Sequence, residues 1–268
     1  MAAVNSEGRV AVVTGAARGI GAAVAHRLAA SGWRLVLFDI CNDDGALPYP
    51  LATKAQLEAV VASCGRDVAL PVVGDVRDQQ ALDGAVALAV SDFGGLDAAV
   101  AVAGCLAGGP PAWETSEETW RVVMDVNLEG VWRLAKAAIP SMLERPEPRS
   151  GRFVALASTA GAQGLPQLAA YSAAKHGVVG LVRSMAAELA PLGITANAIA
   201  PGSTATAMLQ ASAALYGLAD PEEFAEHHLL PRLLAPDEVA ALVAWVCGPE
   251  SSGVTGALLP VDAGMTAT

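Results

Sequence analysis

The octapeptide TGAARGIG, residues 14–21, constrains this chain most. It joins a β-branched run, RVAVVT (9–14), to a segment with helical spacing, GIGAAVAHRLAASG (19–32). Gly15, Gly19 and Gly21 permit a tight strand-to-helix turn and let the backbone approach a ligand closely. The helix that follows offers free N–H groups and a favourable dipole to an anion such as a pyrophosphate. A glycine turn alone is weak, since any tight strand–helix turn uses glycine. The acidic residue after it adds specificity. Asp39 closes a second strand, RLVLFD (34–39), 18 residues after Gly21. A carboxylate there can accept both hydroxyls of a nucleotide ribose and repel a 2′-phosphate, which favours NAD over NADP. Asp75 ends a third strand, where it could accept from an adenine amino group or simply make a turn.

The alternation continues along the chain. Strands are read at VALPVVGD (68–75), LDAAVAVAG (96–104), RFVALAS (152–158), ITANAIAP (194–201) and ALLPVD (257–262). Helices are read at 53–65, 79–94, 116–143, 168–190 and 236–248. Thr53 and Ser116 are the N-cap candidates, and Pro236 stands near the last helix's start. Strands alternating with helices require right-handed crossovers and a parallel sheet covered on both faces. The expected fold is α/β, a Rossmann-type doubly wound parallel sheet of about seven strands with helices on both faces. No linker or repeat interrupts it, so residues 1–268 read as a single NAD-binding catalytic domain. The RPEPRSG stretch (145–151) reads as a surface turn.

Composition limits the partners. Apolar residues make up 53% and aromatics 4%, so the core is mostly Ala, Val and Leu, which suits helices packed closely on a parallel sheet. The formal charge of −11 comes with no Lys/Arg cluster, which argues against nucleic acid. Four scattered cysteines, Cys41, Cys64, Cys105 and Cys247, form no C-x-x-C pair and suggest free thiols in a reducing compartment. The opening MAAVNSEGRV has neither the charged nor the apolar region of a signal peptide. The longest uncharged apolar run, 98–113, is broken by Gly and Pro and is too short to span a bilayer. A cytoplasmic protein without a membrane partner is expected.

The reacting groups lie downstream. Tyr171 and Lys175 are four apart on one helix and share a face. Ser158 ends a strand thirteen residues before Tyr171, and Asn127 sits inside the preceding long helix. A hydride leaves an alcohol carbon only if the hydroxyl proton is removed. Tyrosine, with a pKa near 10, is a poor base at neutral pH. A lysine cation beside it favours the phenolate and should move that pKa towards working pH. A serine hydroxyl can hold the substrate oxygen as its charge changes. An asparagine can bind a water that joins the lysine to solvent.

Together TGAARGIG, VNLEG, ALASTAG, YSAAK and PGSTATAM (201–208) resemble the short-chain dehydrogenase/reductase family over nearly the whole chain. The resemblance implies a catalytic tetrad of Asn127, Ser158, Tyr171 and Lys175. Lys175 would also hold the nicotinamide ribose. Gly15, Arg18, Gly19, Ile20, Gly21, Asp39, Ile40, Asp75 and Val76 would line NAD. Pro201, Gly202 and Thr204 would flank the nicotinamide, and Thr206 would reach its amide or the phosphates. It also implies a homotetramer. One segment departs from the family. Its usual N-N-A-G reads AVAG here (101–104), which removes a support beside the adenosine while Ala103 and Gly104 still allow close backbone approach.

A second departure is an insertion. Family members pass from the second strand to the next helix with little ornament, but here Cys41 to Ala52 intervene, about a dozen residues. Pro48 and Pro50 stiffen the segment, and Leu47, Tyr49 and Leu51 call for burial. Such a loop could fold over the adenosine as a lid, or stand as an inert surface insertion. DICNDDGALPYPLAT, together with EEFAEHHLLPRLLAPDEVA, is similar to the mycofactocin-coupled oxidoreductases, a subgroup that includes carveol dehydrogenases. That resemblance implies that NAD is non-exchangeable and that electrons pass to mycofactocin, a peptide-derived redox carrier.

Other residues carry less. A substrate-covering segment is expected at about 203–234, within which MLQASAALYGL (208–218) is either a lid over a lipophilic substrate or a packed interface. His227 and His228 could touch substrate there, but no third ligand is spaced for a metal. His176 is expected to point outward. Trp113, Trp120 and Trp132 are read as packing residues, and Glu188 and Asp262 as structural. The substrate class implied is a small alcohol or ketone with apolar surroundings. The rival readings are the same chemistry with freely exchanging NAD, an NAD sensor that has kept the fold, and a structural oligomer component.

Overall fold

A computed structural model describes residues 8–267. Seven strands form one parallel sheet: β1 (Val10–Thr14), β2 (Arg34–Asp39), β3 (Ala69–Val73), β4 (Ala98–Ala101), β5 (Gly151–Leu156), β6 (Ile194–Pro201) and β7 (Leu258–Val261). Their order is β3-β2-β1-β4-β5-β6-β7. The chain builds outward from β1 in one direction, then crosses to β4 and builds in the other. This reversal opens a crevice beyond the carboxyl ends of β1 and β4, where doubly wound sheets bind their ligands.

The sheet residues divide by period two. Val10 and Val12 face one core with Leu82 and Val86 of α3 (Gln79–Phe93) and Val178 and Val182 of α6 (Ala169–Leu189). Ala11 and Val13 face the other, with Val24 and Leu28 of α1 (Gly19–Ala30), Leu57 and Val61 of α2 (Lys54–Cys64), and Val239 and Val243 of α8 (Pro236–Cys247). Both faces of every central strand are therefore covered, as a parallel sheet requires. Thr53 caps α2 through a reciprocal pair of bonds with Gln56. Ser116 accepts from the Thr119 N–H at the start of α4 (Glu117–Met124).

Three strands are shorter than the sequence suggests. β3, β4 and β5 stop at Val73, Ala101 and Leu156, so Asp75, Gly104 and Ser158 lie in the loops beyond them. The stretch read as one helix over 116–143 is interrupted. Between α4 and α5 (Gly130–Leu143), residues Asp125–Glu129 form a π-helical turn that contains Asn127.

Trp113, Trp120 and Trp132 do not serve as core, unlike the buried Trp33. Trp113 is 84% exposed, and Trp120 and Trp132 are also exposed. Trp132 stands under the cations of Arg133 and Lys136 instead. Asp262 is structural as expected, accepting from the N–H groups of Gly264 and Thr266. His176 is exposed on α6. The four cysteines are free thiols. No helix of the described residues is long and apolar enough to cross a membrane.

Candidate active site

The crevice is a cleft of about 720 Å3 beyond the carboxyl edge of the sheet. Each site residue singled out from the sequence lies on its wall. The glycine turn forms its floor. Gly15 has φ +66°, and a Cβ there would stand 2.7 Å from the Ala103 Cα. A Cβ at Gly21 would overlap the Gly15 carbonyl. Arg18, at the N-cap of α1, makes no side-chain capping bond, so the first-turn N–H groups have no cap of that kind. A backbone cradle that excludes a Cβ at Gly15 and Gly21, ending at an uncapped helix N-terminus, fits a dinucleotide's pyrophosphate.

Asp39 is buried at the end of β2. One carboxylate oxygen accepts from the Ala17 N–H at 2.9 Å and the other from the Cys41 N–H at 3.3 Å. It ties the glycine turn to β2 and keeps acceptor capacity for a ribose. Asp75 is already engaged. Arg77 donates to both its oxygens through Nε and to one through Nη2, the latter at 2.6 Å. The Arg77 backbone N–H also donates to Oδ1, at 2.8 Å, so each Asp75 oxygen already accepts two bonds and an adenine amino group would have to displace one of them.

Thr14 was missed by sequence reading. Its hydroxyl accepts from the N–H groups of Val102 and Ala103, at 3.2 and 3.3 Å. This fixes the AVAG segment from β1, where the family's asparagines are absent. A hydroxyl at the last strand position was the available signal.

The inserted loop is tied down at three points. Asp44 forms an ion pair with Arg77 at 2.8 Å. Arg18 donates to the Pro50 carbonyl at 3.0 Å. The Tyr49 hydroxyl accepts from the Leu106 N–H at 2.8 Å. Leu47 is buried in a cluster with Leu106, Leu168 and Tyr171, and Tyr49 and Leu51 pack against it. The loop thus reaches across the cleft from β2 to the segment after β4. Neither arginine was marked as its anchor from sequence, because the partners are distant along the chain.

The reacting groups converge on the opposite wall. Tyr171 and Lys175 project from α6, with the ammonium 5.5 Å from the phenol ring centroid. Lys175 donates to the Leu156 carbonyl at 2.7 Å. Burial pushes the Lys175 ammonium down to about 8. Burial also pushes the Tyr171 phenol up to about 12, against a hydrogen bond with Ser158 that favours its ionised form. The expected lowering of Tyr171 by its lysine is therefore outweighed, since desolvation disfavours both charged forms.

Asn127 is wholly buried. Its Nδ2 donates to the carbonyls of Val123 and Cys105 at 2.8 and 2.9 Å, and its Oδ1 accepts from the Cys105 N–H at 3.2 Å. Through these bonds the amide ties the π-helical turn and the helix before it to the loop after β4. π-Turns of this kind recur at functional sites. A Cβ on Gly104 would lie 2.9 Å from Asn127 Oδ1 and 3.8 Å from Lys175 Nζ. Gly104 therefore lies beside both Asn127 Oδ1 and Lys175 Nζ, with no side chain of its own against either.

Residues 203–234 close the far side. Thr206 caps α7 (Ala207–Tyr216), and a short 3-10 stretch follows at Pro221–His227. His228 is buried, with Nε2 accepting from the Ser203 N–H at 3.1 Å and Nδ1 against the Arg232 carbonyl at 2.7 Å. It positions the PGSTATAM segment. No group of three potential metal ligands occurs among the described residues.

A glycine cradle at the switch point of a doubly wound sheet, facing Ser158 and the buried Tyr171 and Lys175, defines a dinucleotide-dependent oxidoreductase. Comparison with known proteins gives the family. A model described as Enoyl-(Acyl carrier protein) reductase matches residues 15–266. A (-)-trans-carveol dehydrogenase of Rhodococcus erythropolis is 38% identical, over 97% of this chain and 98% of that protein. The crystal structure of a carveol dehydrogenase from Mycobacterium avium, in complex with NAD, superposes with a TM-score of 0.92 at 34% identity, covering 98% of this chain and 99% of that one. A short chain dehydrogenase from Mycobacterium paratuberculosis bound to NAD gives a TM-score of 0.88 at 34% identity, over 98% and 100% of the two chains. The chain belongs to the short-chain dehydrogenase/reductase family and is an oxidoreductase.

Proposed function

We propose that the protein oxidises a small alcohol, or reduces the matching ketone, with NAD held across the glycine turn. The observation that carries this reading is the grouping of Ser158 with the buried Tyr171 and Lys175 on the wall facing that turn. Bound NAD supplies the hydride acceptor and, when oxidised, a cationic ring that favours a nearby phenolate. Tyr171 takes the hydroxyl proton as the hydride leaves the alcohol carbon. Ser158 holds the substrate oxygen. Lys175 steadies the phenolate and would hold the nicotinamide ribose, and Asn127 anchors, through the free lone pair of Oδ1, a water that carries the proton between Lys175 and solvent. Asp39 selects NAD through its ribose. Pro201, Gly202, Thr204 and Thr206 hold the nicotinamide end.

The inserted loop would keep NAD bound through turnover, with mycofactocin as the electron acceptor for that bound cofactor. The loop ties at Asp44, Tyr49 and Pro50 support this, since a lid fixed on both sides of a nucleotide makes its exchange slow. The assembly is a cytoplasmic homotetramer. The deciding experiment measures nucleotide released from exhaustively desalted, denatured protein. About one NAD per chain, with turnover only when an artificial electron acceptor is added, is expected. Empty protein that turns over with free NAD would leave an ordinary dehydrogenase. Tyr171→Phe should abolish turnover and leave NAD in place; loss of NAD from that variant counts against the catalytic assignment.

A further inference from the structure

The cleft separates its charges. Arg18, Asp39, Asp44, Asp75 and Arg77 all stand at the end built by the glycine turn, β2, the inserted loop and the segment after β3. Around Tyr171 the walls come from Leu106, Leu165, Leu168, Met208 and Tyr216. Lys175 and the imidazole of His227 are the ionisable nitrogens among the lining side chains of that half. A charged substrate would find no fixed counter-charge beyond the lysine that the reaction uses.

Two phenols other than Tyr171 enter this apolar half. Tyr216 spends its O–H on the Pro166 carbonyl at 2.7 Å. Tyr49 does not. Its oxygen accepts from the Leu106 N–H, and among the described residues its O–H donates to nothing. Tyr49 and Tyr171 line the same cleft and pack in one apolar cluster. A phenol so placed is a donor held ready at fixed position, because the Leu106 bond sets where its oxygen lies.

We propose that Tyr49 recognises substrate: its O–H donates to a second oxygen on an uncharged, compact alcohol whose reacting oxygen is held at Ser158 and Tyr171. This rests on the dehydrogenase reading of the site. The inserted loop then does two things at once, covering the nucleotide with one end and selecting the substrate with the other.

The test is binding, not turnover. Cyclohexanol and the 1,2-, 1,3- and 1,4-cyclohexanediols are titrated by calorimetry into the Tyr171→Phe holoprotein, and into the same protein carrying Tyr49→Phe as well. Phenylalanine keeps the ring of Tyr49 and its packing. At least one diol should bind roughly tenfold tighter than cyclohexanol, the scale of one net hydrogen bond, and the second variant should erase that preference. A preference that survives without the Tyr49 hydroxyl overturns the proposal, as does the absence of any preference or an equal loss for all four ligands. Loss of bound nucleotide in the second variant with the ligand preference unchanged would assign the hydroxyl to the nucleotide and overturn it too. If the diol binds through Tyr49 but wild-type protein never oxidises it, the recognition stands and the dehydrogenase reading falls.

Discussion

Asp44 in the inserted loop and Arg77 beyond β3 are joined by an ion pair of 2.8 Å, and Arg77 is held in turn by Asp75 at 2.6 Å. One guanidinium thereby fastens the loop to the sheet beside the expected adenine position. The Asp44 carboxyl is held below its ordinary range, first by the Ala46 N–H and then by Arg77. Both aspartates raise the Arg77 guanidinium.

This latch should set how fast nucleotide leaves. The Arg77 side chain is 34% exposed and that of Asp44 15%, so the pair sits at the water boundary. Such pairs contribute about 0.2–1 kcal/mol. Asp44→Asn should speed NAD release by about two- to fivefold, read by chasing bound NAD with excess labelled NAD. Raising ionic strength should speed release from the wild type and leave the variant nearly unchanged, because screening acts on the pair the variant lacks. Equal release from both proteins at every salt concentration would mean the latch is irrelevant to exchange.

The glycine turn should tolerate no side chain. Gly15→Ala places a Cβ 2.7 Å from the Ala103 backbone at a positive φ, and Gly21→Ala drives one into the Gly15 carbonyl. Rigid backbone cannot yield cheaply at either place. Each variant should lose about 2 kcal/mol or more, lower the melting temperature by about 4–8 °C, and emerge without nucleotide. Thermal melting and nucleotide release measure both effects. A variant that melts like the wild type and keeps its NAD would contradict the cradle.

Much of this was legible because it is local. The strand–turn–helix around Gly15, the cap at Thr53 and the Tyr171/Lys175 spacing each depend on residues within a few positions of one another. The π-turn at Asn127 was not legible. It shifts the helical phase by a single residue inside an apolar stretch, and periodicity does not resolve that. Loop closure was not legible either, since Asp44–Arg77 and Tyr49–Leu106 join residues 33 and 57 apart. Trp113, Trp120 and Trp132 misled because size and hydrophobicity indicate burial, as holds for Trp33, while these three stand outside. The Tyr171 pKa was misjudged from the lysine's charge alone. The sequence does not say how dry the wall around it is.

Burial of Lys175 gives a stability signature. Its pKa falls from 10.5 to about 8 on folding. Below pH 8 the folded protein must keep a charge in a dry site, and that cost is fully present. Between pH 8 and 10.5 the unfolded chain binds more protons than the folded one, so stability rises with pH. The relief amounts to about 3 kcal/mol. The buried thiols of Cys105 and Cys247, pushed up to about 12 from 9, work the other way above pH 9. The quantity to measure is therefore the difference between wild type and Lys175→Met in denaturant unfolding of nucleotide-free protein. Wild type should gain on the variant from pH 8 to 10.5 and then hold level. A difference flat across that window would show that Lys175 is not desolvated as the structure has it.

Gly104 offers the narrowest test of the proton path. A methyl group there would stand 2.9 Å from Asn127 Oδ1, towards Lys175 Nζ at 3.8 Å. Asn127 cannot swing aside, because its amide is bonded to Val123 and to both backbone groups of Cys105. Gly104→Ala should therefore exclude the bridging water and leave Ser158 and Tyr171 in place. Turnover with an artificial acceptor should fall by about 10- to 100-fold, the lower part of what a positioned acid–base group supplies, while nucleotide content stays near wild type. Proton delivery would then limit the rate. The solvent deuterium isotope effect on kcat should rise in the variant, which a change in nucleotide binding or substrate affinity would not produce. If turnover falls with the isotope effect unchanged, the methyl acts on hydride geometry instead, and the path through Asn127 and Lys175 is not the one the protein uses.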